Sequence, residues 1–232
     1  MNQAKLKKKK LVIFGLGEAA DILFFFFKHH SEYTPVAFTV DKDYILSDSY
    51  NGLPVIAFED VETIYDPNIH VMFVAIGYRR LNEFRAIKIE VAKEKGYEII
   101  SYIHPEAGVP SDLIIGENCF VMNNVHIHPH VKIGDNVFIW SGTILCHHSS
   151  VGNHCWFTSG VNIAGNVNIG SNCFFAINAT VTNNVTIGNR CFLGANSLVN
   201  KDLGNGKVII APSTEEFYLD STHFLNMMDD KV

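Results

Sequence analysis

The chain has 232 residues, of which 47% are hydrophobic and 18% charged, and its formal net charge is -6. This is a globular composition, and the acidic balance gives no electrostatic case for binding nucleic acid or an anionic membrane. The five cysteines, at 119, 146, 155, 173 and 191, are odd in number and follow no secretion signal, which predicts reduced thiols in the cytoplasm.

In chain order, Lys5 and Lys7 to Lys10 read as a solvated tail before the first strand. The apolar segment that follows, LVIFGLGEAADILFFFF, is interrupted by Glu18 and Asp21, and no small-residue cleavage site comes after it. No uncharged run reaches the length of about 18 apolar residues that a membrane span needs. Short runs rich in β-branched and aromatic residues at 11–14, 35–40, 71–76 and 98–103 predict strands, separated by helical patterns near 17–29, 57–65 and 79–95. That alternation predicts a small parallel α/β sheet, a Rossmann-like half domain over residues 1–106. Phe24 to Phe27 read as helix core, and HPEAGVP (104–110) as a hinge.

Within this half, Gly15-x-Gly17-x-x-Ala20 follows the first strand and opens a helix, and Asp41 follows the second strand. Two glycines let a phosphate approach the backbone, where the helix start supplies oriented N–H groups. About 100 residues provide only one mononucleotide half, which favours a nucleotide or nucleotide-sugar site over NAD; a tight turn without a ligand is the alternative. Gly77 ends the third strand on the same sheet edge, with Arg79 and Arg80 beside it, either as phosphate partners or as a solvated helix start.

From Ile115 a six-residue period takes over, with leading residues at 115, 121, 127 and every sixth position up to Val199. All fifteen leaders are apolar, which chance would produce roughly once in a hundred thousand tries, so the segment is a repeat. The prediction is a parallel β-helix over 107–203. Three hexapeptides close an eighteen-residue coil, leaders and small residues fill the interior, and Asn, Gly, Asp and Ser take the corners. Fifteen hexapeptides give five coils. Cys155, Cys173 and Cys191 lie eighteen apart, with Cys119 two coils earlier, and so form an inward column of structural filler. Residues 204–232 read as a loop followed by a helix that covers the end of the β-helix.

His147 and His148 fall at a corner, where a histidine is not core. Eighteen residues on, His147 meets Gly165, which has no side chain, and His148 meets Asn166. An imidazole beside a bare position and a free amide fits acyl transfer: the ring takes a proton from an attacking amine or hydroxyl, and an N–H receives the oxyanion. Ordinary exposed histidines are the alternative. Zinc is disfavoured, because no two of His126, His128, His130, His147, His148 and His154 have the five-residue spacing of the trimeric β-helical carbonic anhydrases.

The hexapeptides resemble the left-handed β-helix acyltransferases. Together with IFGLGEAA, FTVD (38–41), VAIG (74–77), YIHPEA (102–107), CHHSSVG (146–152) and AGNVNIG (164–170), the chain resembles the sialic-acid-type sugar O-acyltransferase family, which includes the bacillosamine-pathway and perosamine N-acetyltransferases. The resemblance implies a homotrimer with active sites between subunits, using acetyl-CoA and no metal. Its acceptor would be a nucleotide-linked deoxyaminosugar for a surface glycan such as lipopolysaccharide. The family's base falls on His147, with His148 as its orienting neighbour. The amide that steadies the thioester carbonyl falls on Gly165, and coenzyme A positions fall on Trp156, Ile177 and Ala195. Nucleotide-sugar positions fall on Gly17, Glu18, Ala19, Asp41 and Gly77. The sequence departs from the family's pattern in four places. His148 stands where an acidic residue often follows the base, and offers a tautomer but no negative charge. Trp156 replaces a histidine that can touch the coenzyme, Val40-Asp41 replaces paired aspartates, and APSTEE replaces Gly-x-Pro-Ala. N-acetylation is the leading expectation, followed by O-acetylation of a sugar hydroxyl and then by a non-catalytic trimeric scaffold that binds nucleotide sugars.

Overall fold

A computed structural model describes residues 9–229, so Lys5, Lys7 and Lys8 of the basic run lie outside the described residues. The first half is an α/β unit: β1 (Lys9–Phe14), α1 (Glu18–His30), β2 (Tyr33–Val40), β3 (Ser49–Tyr50), β4 (Leu53–Ala57), α2 (Val61–Ile64), β5 (His70–Val74), α3 (Glu83–Glu94) and β6 (Glu98–Ile99). Strand order is β3-β4-β2-β1-β5-β6. Only β3 runs antiparallel, forming an edge hairpin with β4 that the hydrophobic pattern does not announce. The strands β1, β2 and β5 carry runs of buried residues because both sheet faces are covered.

The order reverses at β1, which pairs with β2 on one side and β5 on the other. The carboxyl ends of these three strands therefore open a crevice, and Gly15, Asp41 and Gly77 all lie at its mouth. Gly15 has φ +127°, and a Cβ there would fall 2.6 Å from the Ala75 carbonyl oxygen. The tight turn thus requires glycine on two counts.

The second half is the expected β-helix. Two-residue strands pair in parallel with partners eighteen residues away, such as His126–Ile127 with Ile144–Leu145, in three sheets. Leaders point inward and form one continuous core with the cysteine column. The Cys155 and Cys173 thiols each donate to a carbonyl of the next rung, Gly170 and Gly188, both at 3.2 Å. Corners turn through a left-handed residue every sixth position, mostly Asn but also His130, His148 and His154. Asn tolerates that conformation better than other side chains, which explains its regular recurrence.

The three outward faces differ. One carries Ile114, Lys132, Ser150, Asn168 and Thr186 and is largely polar; a second is mixed. The third carries Tyr102, Phe120, Phe138, Trp156, Phe174 and Phe192, an aromatic column also spaced by eighteen. Tyr102 stacks on Phe120, Phe138 on Trp156 and Phe174 on Phe192, with centroids 4.8–5.3 Å apart. Phe26, Phe27 and Phe73 of the α/β unit pack onto this column. The phenylalanine run of α1 is therefore core, as expected, except for Phe25, which is half exposed.

Several sequence-based expectations are corrected. The run 98–103 is two strands. Glu98–Ile99 closes the α/β sheet, whereas Tyr102–Ile103 pairs with Phe120–Val121 as the first rung of the β-helix. The segment 104–110 is accordingly a coil corner rather than a hinge, with Gly108 bridged to His126. The last rung on the aromatic face, Val208–Ile209, lies beyond 203. The helix expected over 79–95 starts at Glu83, because Arg80, Leu81 and Asn82 are all left-handed. The C-terminal helix (Ser221–Asp229) exists but buries no residue, so it does not cover the end of the β-helix.

Candidate active site

A cavity of about 760 Å³ sits where the sheet crevice meets the prism. Gly17, Glu18, Ala19, Asp41 and Gly77 line it from the sheet side, and Trp156 and Ile177 from the prism, so seven of the residues singled out in the sequence share one space. Gly17 opens α1 with no side-chain cap, and a Cβ there would meet nothing within 4 Å. The first-turn N–H groups thus face an unobstructed volume, where a helix start favours an anion. Most of the remaining wall is apolar, including Phe14, Ile22, Tyr44, Tyr78 and Trp140. Tyr78 packs over Phe174 and Trp156, at 4.6 and 5.6 Å between centroids. The charged groups on the wall are Glu18, Asp41 and Arg79. Asp41 is already held by Lys88 through a 2.5 Å ion pair, which leaves Arg79 as the cation on the cavity wall.

The sequence reading missed what holds this cavity open. Arg85 on α3 is fully buried, donating from Nη1 to Ile76 O (2.9 Å) and from Nη2 to Asn136 O (3.1 Å), with Nε bonded to Asn136 Oδ1. Its guanidinium lies 4.0 Å from the Phe138 ring centroid and 5.1 Å from that of Trp156. Burial pushes its pKa down to about 9, which still leaves it charged at neutral pH. One corner column of the prism does the rest. Asn118 exchanges two hydrogen bonds with the Val74 backbone, Asn82 Nδ2 donates to His154 O (2.7 Å), and Asn172 Nδ2 donates to Leu81 O (2.9 Å). The signal was present as polar residues every eighteen positions, 118, 136, 154 and 172, on the corner next to the aromatic face.

His147, His148, Gly165 and Ala195 do not line the cavity. Ala195 is exposed and continues the corner of Ser159 and Ile177 one coil above it. His147 and His148 occupy the other edge of the mixed face, and both are exposed. A Cβ on Gly165 would fall 2.6 Å from His147 Cε1 and 2.9 Å from Nε2, so the ring lies over the bare glycine as the eighteen-residue stacking predicts. The Asn166 amide donates to His147 O (3.0 Å), while among the described residues the Gly165 amide makes no backbone hydrogen bond. His147 Nδ1 and His148 Nδ1 are 3.2 Å apart. Among the described residues no group of three or more His, Cys, Asp or Glu could hold a metal ion, and no helix is long and apolar enough to cross a membrane.

Fold and site together define a β-helical protein with an α/β crevice docked on its aromatic face. Residues 101–147 and 167–201 match the family model described as bacterial transferase hexapeptide (six repeats), and no curated protein matches the sequence. Among solved structures, PerB from Caulobacter crescentus, determined with CoA and GDP-perosamine, is 28% identical with a TM-score of 0.76, covering 86% of this chain and 92% of that one. The acetyltransferase domain of PglB from Neisseria gonorrhoeae FA1090, solved with acetyl coenzyme A, is 23% identical with a TM-score of 0.77, covering 87% of this chain and 95% of that one. WeeI from Acinetobacter baumannii AYE shares the fold at 17% identity and a TM-score of 0.54, over 87% of this chain and 96% of that one. Residues 101–147 and 167–201 thus carry the bacterial transferase hexapeptide pattern, and the chain as a whole shares its fold with PerB and the PglB acetyltransferase domain.

Proposed function

We propose that the protein is an acetyl-CoA-dependent acetyltransferase that N-acetylates the amino group of a nucleotide-linked deoxyaminosugar. The observation that carries this reading is the single cavity joining the α1 N-terminus and the sheet switch point to Trp156 and Ile177 of the prism. A nucleotide diphosphate suits the first wall, and a coenzyme running along the prism suits the second. The likeness to PerB, whose structure holds both CoA and GDP-perosamine, supports the same pairing of ligands.

His147 is the general base of this reading. The sugar nitrogen attacks the thioester carbonyl, His147 Nε2 takes its proton, the C–S bond breaks, and the thiol of coenzyme A leaves without an acyl-enzyme. The amide of Gly165, a buried residue with the His147 ring over it, donates to the developing oxyanion. The base and the cavity stand at opposite edges of one prism face, which supports a homotrimer in which one subunit's His147 edge closes on a neighbour's cavity.

The test is incubation with acetyl-CoA and a panel that includes GDP-perosamine, reading thiol release and identifying the product by NMR. An amide on the sugar is expected. An ester would mean hydroxyl acylation, and tight nucleotide-sugar binding without thiol release would mean a binding scaffold. Gly165→Ala probes the local geometry. Its methyl group would sit 2.6 Å from Cε1 of an exposed ring that can swing aside, so the melting temperature should stay near wild type while kcat falls. Unchanged kcat would remove Gly165 and the observed ring position from the mechanism.

A further inference from the structure

The mechanism leaves a charge without a partner. When His147 accepts a proton it becomes a cation, and no carboxylate bonds to its ring among the described residues; its ring partner is another imidazole. Two Nδ1 atoms 3.2 Å apart hold one proton between them, because two donors would repel and two acceptors would make no bond. For His147 Nε2 to act as a base, its proton must sit on Nδ1 and point at His148 Nδ1. His148 must then be neutral, with its own proton on Nε2.

His148 is itself held from below. It sits in a left-handed corner (φ +60°), as does His130 (φ +67°) eighteen residues earlier, and the two rings lie 4.6 Å apart with planes tilted by 40°. The column continues upward as Asn166 and Asn184, also left-handed but without rings. Asp112 and Lys132 share a cavity of about 130 Å³ with His130. Three imidazoles thus run from the Gly165 niche to open solvent, with His148 and His130 both exposed.

We infer that His148 is a proton relay for His147 and that His130 is the residue that positions it. This rests on the acetyltransferase reading above. As the C–N bond forms, the sugar nitrogen's proton moves to His147 Nε2, the Nδ1 proton of His147 crosses to His148 Nδ1, and the Nε2 proton of His148 passes to water. When the C–S bond breaks, the same three transfers run backwards and a proton reaches the thiolate sulfur. Protons balance over the cycle and both rings return to their starting tautomers. Where a neighbouring subunit closes over His147, the positive charge is passed outward through His148 to water, where a cation costs less. A carboxylate would neutralise that charge in place; this chain passes it on.

Asparagine separates relay from orientation without disturbing the corner, since it already fills the same column at 166 and 184. In His148→Asn the amide oxygen still accepts from His147 Nδ1 but cannot carry a proton onward. With acetyl-CoA and GDP-perosamine, kcat should fall on the order of tenfold or more with KM little changed, and added free imidazole should restore part of it. The dependence of kcat on solvent deuterium content should be curved for wild type, where bridging protons move together, and linear for His148→Asn. His130→Asn should lower kcat less and keep the curvature. Equal activity of His148→Asn and wild type, or linear plots for both, would overturn the relay. If wild type turns over no acceptor, the acetyltransferase reading fails, and nitrogen NMR of the histidine rings then decides the geometric claim alone. Nδ1–H on His147 with Nε2–H on His148 supports it; the reverse pair overturns it.

Discussion

Replacing His147 with alanine should lower kcat/KM by about 10²–10⁴-fold, the usual worth of a positioned general base, and leave the fold intact. The ring is exposed and contributes nothing to the prism core, so thermal unfolding should not move with the activity. The residual rate would come from binding and orientation, which the variant keeps. This substitution also tests whether sites are shared between subunits. Gly17→Asp disables the other half: aspartate is a favoured helix cap at that position, so it preserves α1 while placing a carboxylate where a phosphate would bind. Each variant alone should be nearly inactive. Mixed trimers formed by unfolding and refolding the two together should regain activity, because some cavities keep an intact Gly17 and face an intact His147. If the mixture stays as inactive as its parents, the base and the cavity belong to one chain and the proposed arrangement fails.

The prism was legible because its constraint is local and repeated. Every sixth side chain points into a narrow interior, so the period is written in residues 115 to 199 with no need of tertiary context. His147 over Gly165 followed from the same arithmetic, and so did the inward cysteines. The crevice glycines were legible because tight turns after parallel strands restrict residue type. What stayed hidden is of another kind. The aromatic face 102, 120, 138, 156, 174 and 192 repeats by eighteen, yet an outward aromatic is read as exposed until something is known to cover it. Nothing in the helical pattern of 79–95 marks Arg85 as buried, and only the docking of α3 against Phe138 buries it. The C-terminal helix had the right pattern but no surface in this chain to pack on. The sequence shows repeats and turns; which face meets which domain depends on long-range packing.

Arg85→Ala should be the most damaging single change to stability, costing about 3–5 kcal/mol, the scale for stripping one member from a buried charged network. Three hydrogen bonds go with the guanidinium: the Ile76 and Asn136 carbonyls lose their donor in a buried place, and Asn136 Oδ1 keeps only its bond from Asn118 Nδ2. A void also opens beside Phe138 and Trp156. Lysine should not rescue, because one ammonium group cannot reproduce a planar fork stacked on two aromatic rings. Methionine should lose less than alanine, since it fills the volume and removes a cation that has no carboxylate partner among the described residues. Urea unfolding followed by tryptophan fluorescence reports this directly, as Trp156 is in contact with the site and Trp140 packs on Trp156. The functional consequence follows from the bond to Ile76 O, one residue before Gly77 on the cavity wall. Weaker docking should therefore raise the dissociation constant for a nucleotide sugar even in buffer, well below the urea concentration that unfolds the chain. Unchanged ligand affinity in Arg85→Met would mean that the α/β crevice keeps its shape without this anchor, and that the aromatic column alone sets the two halves in place.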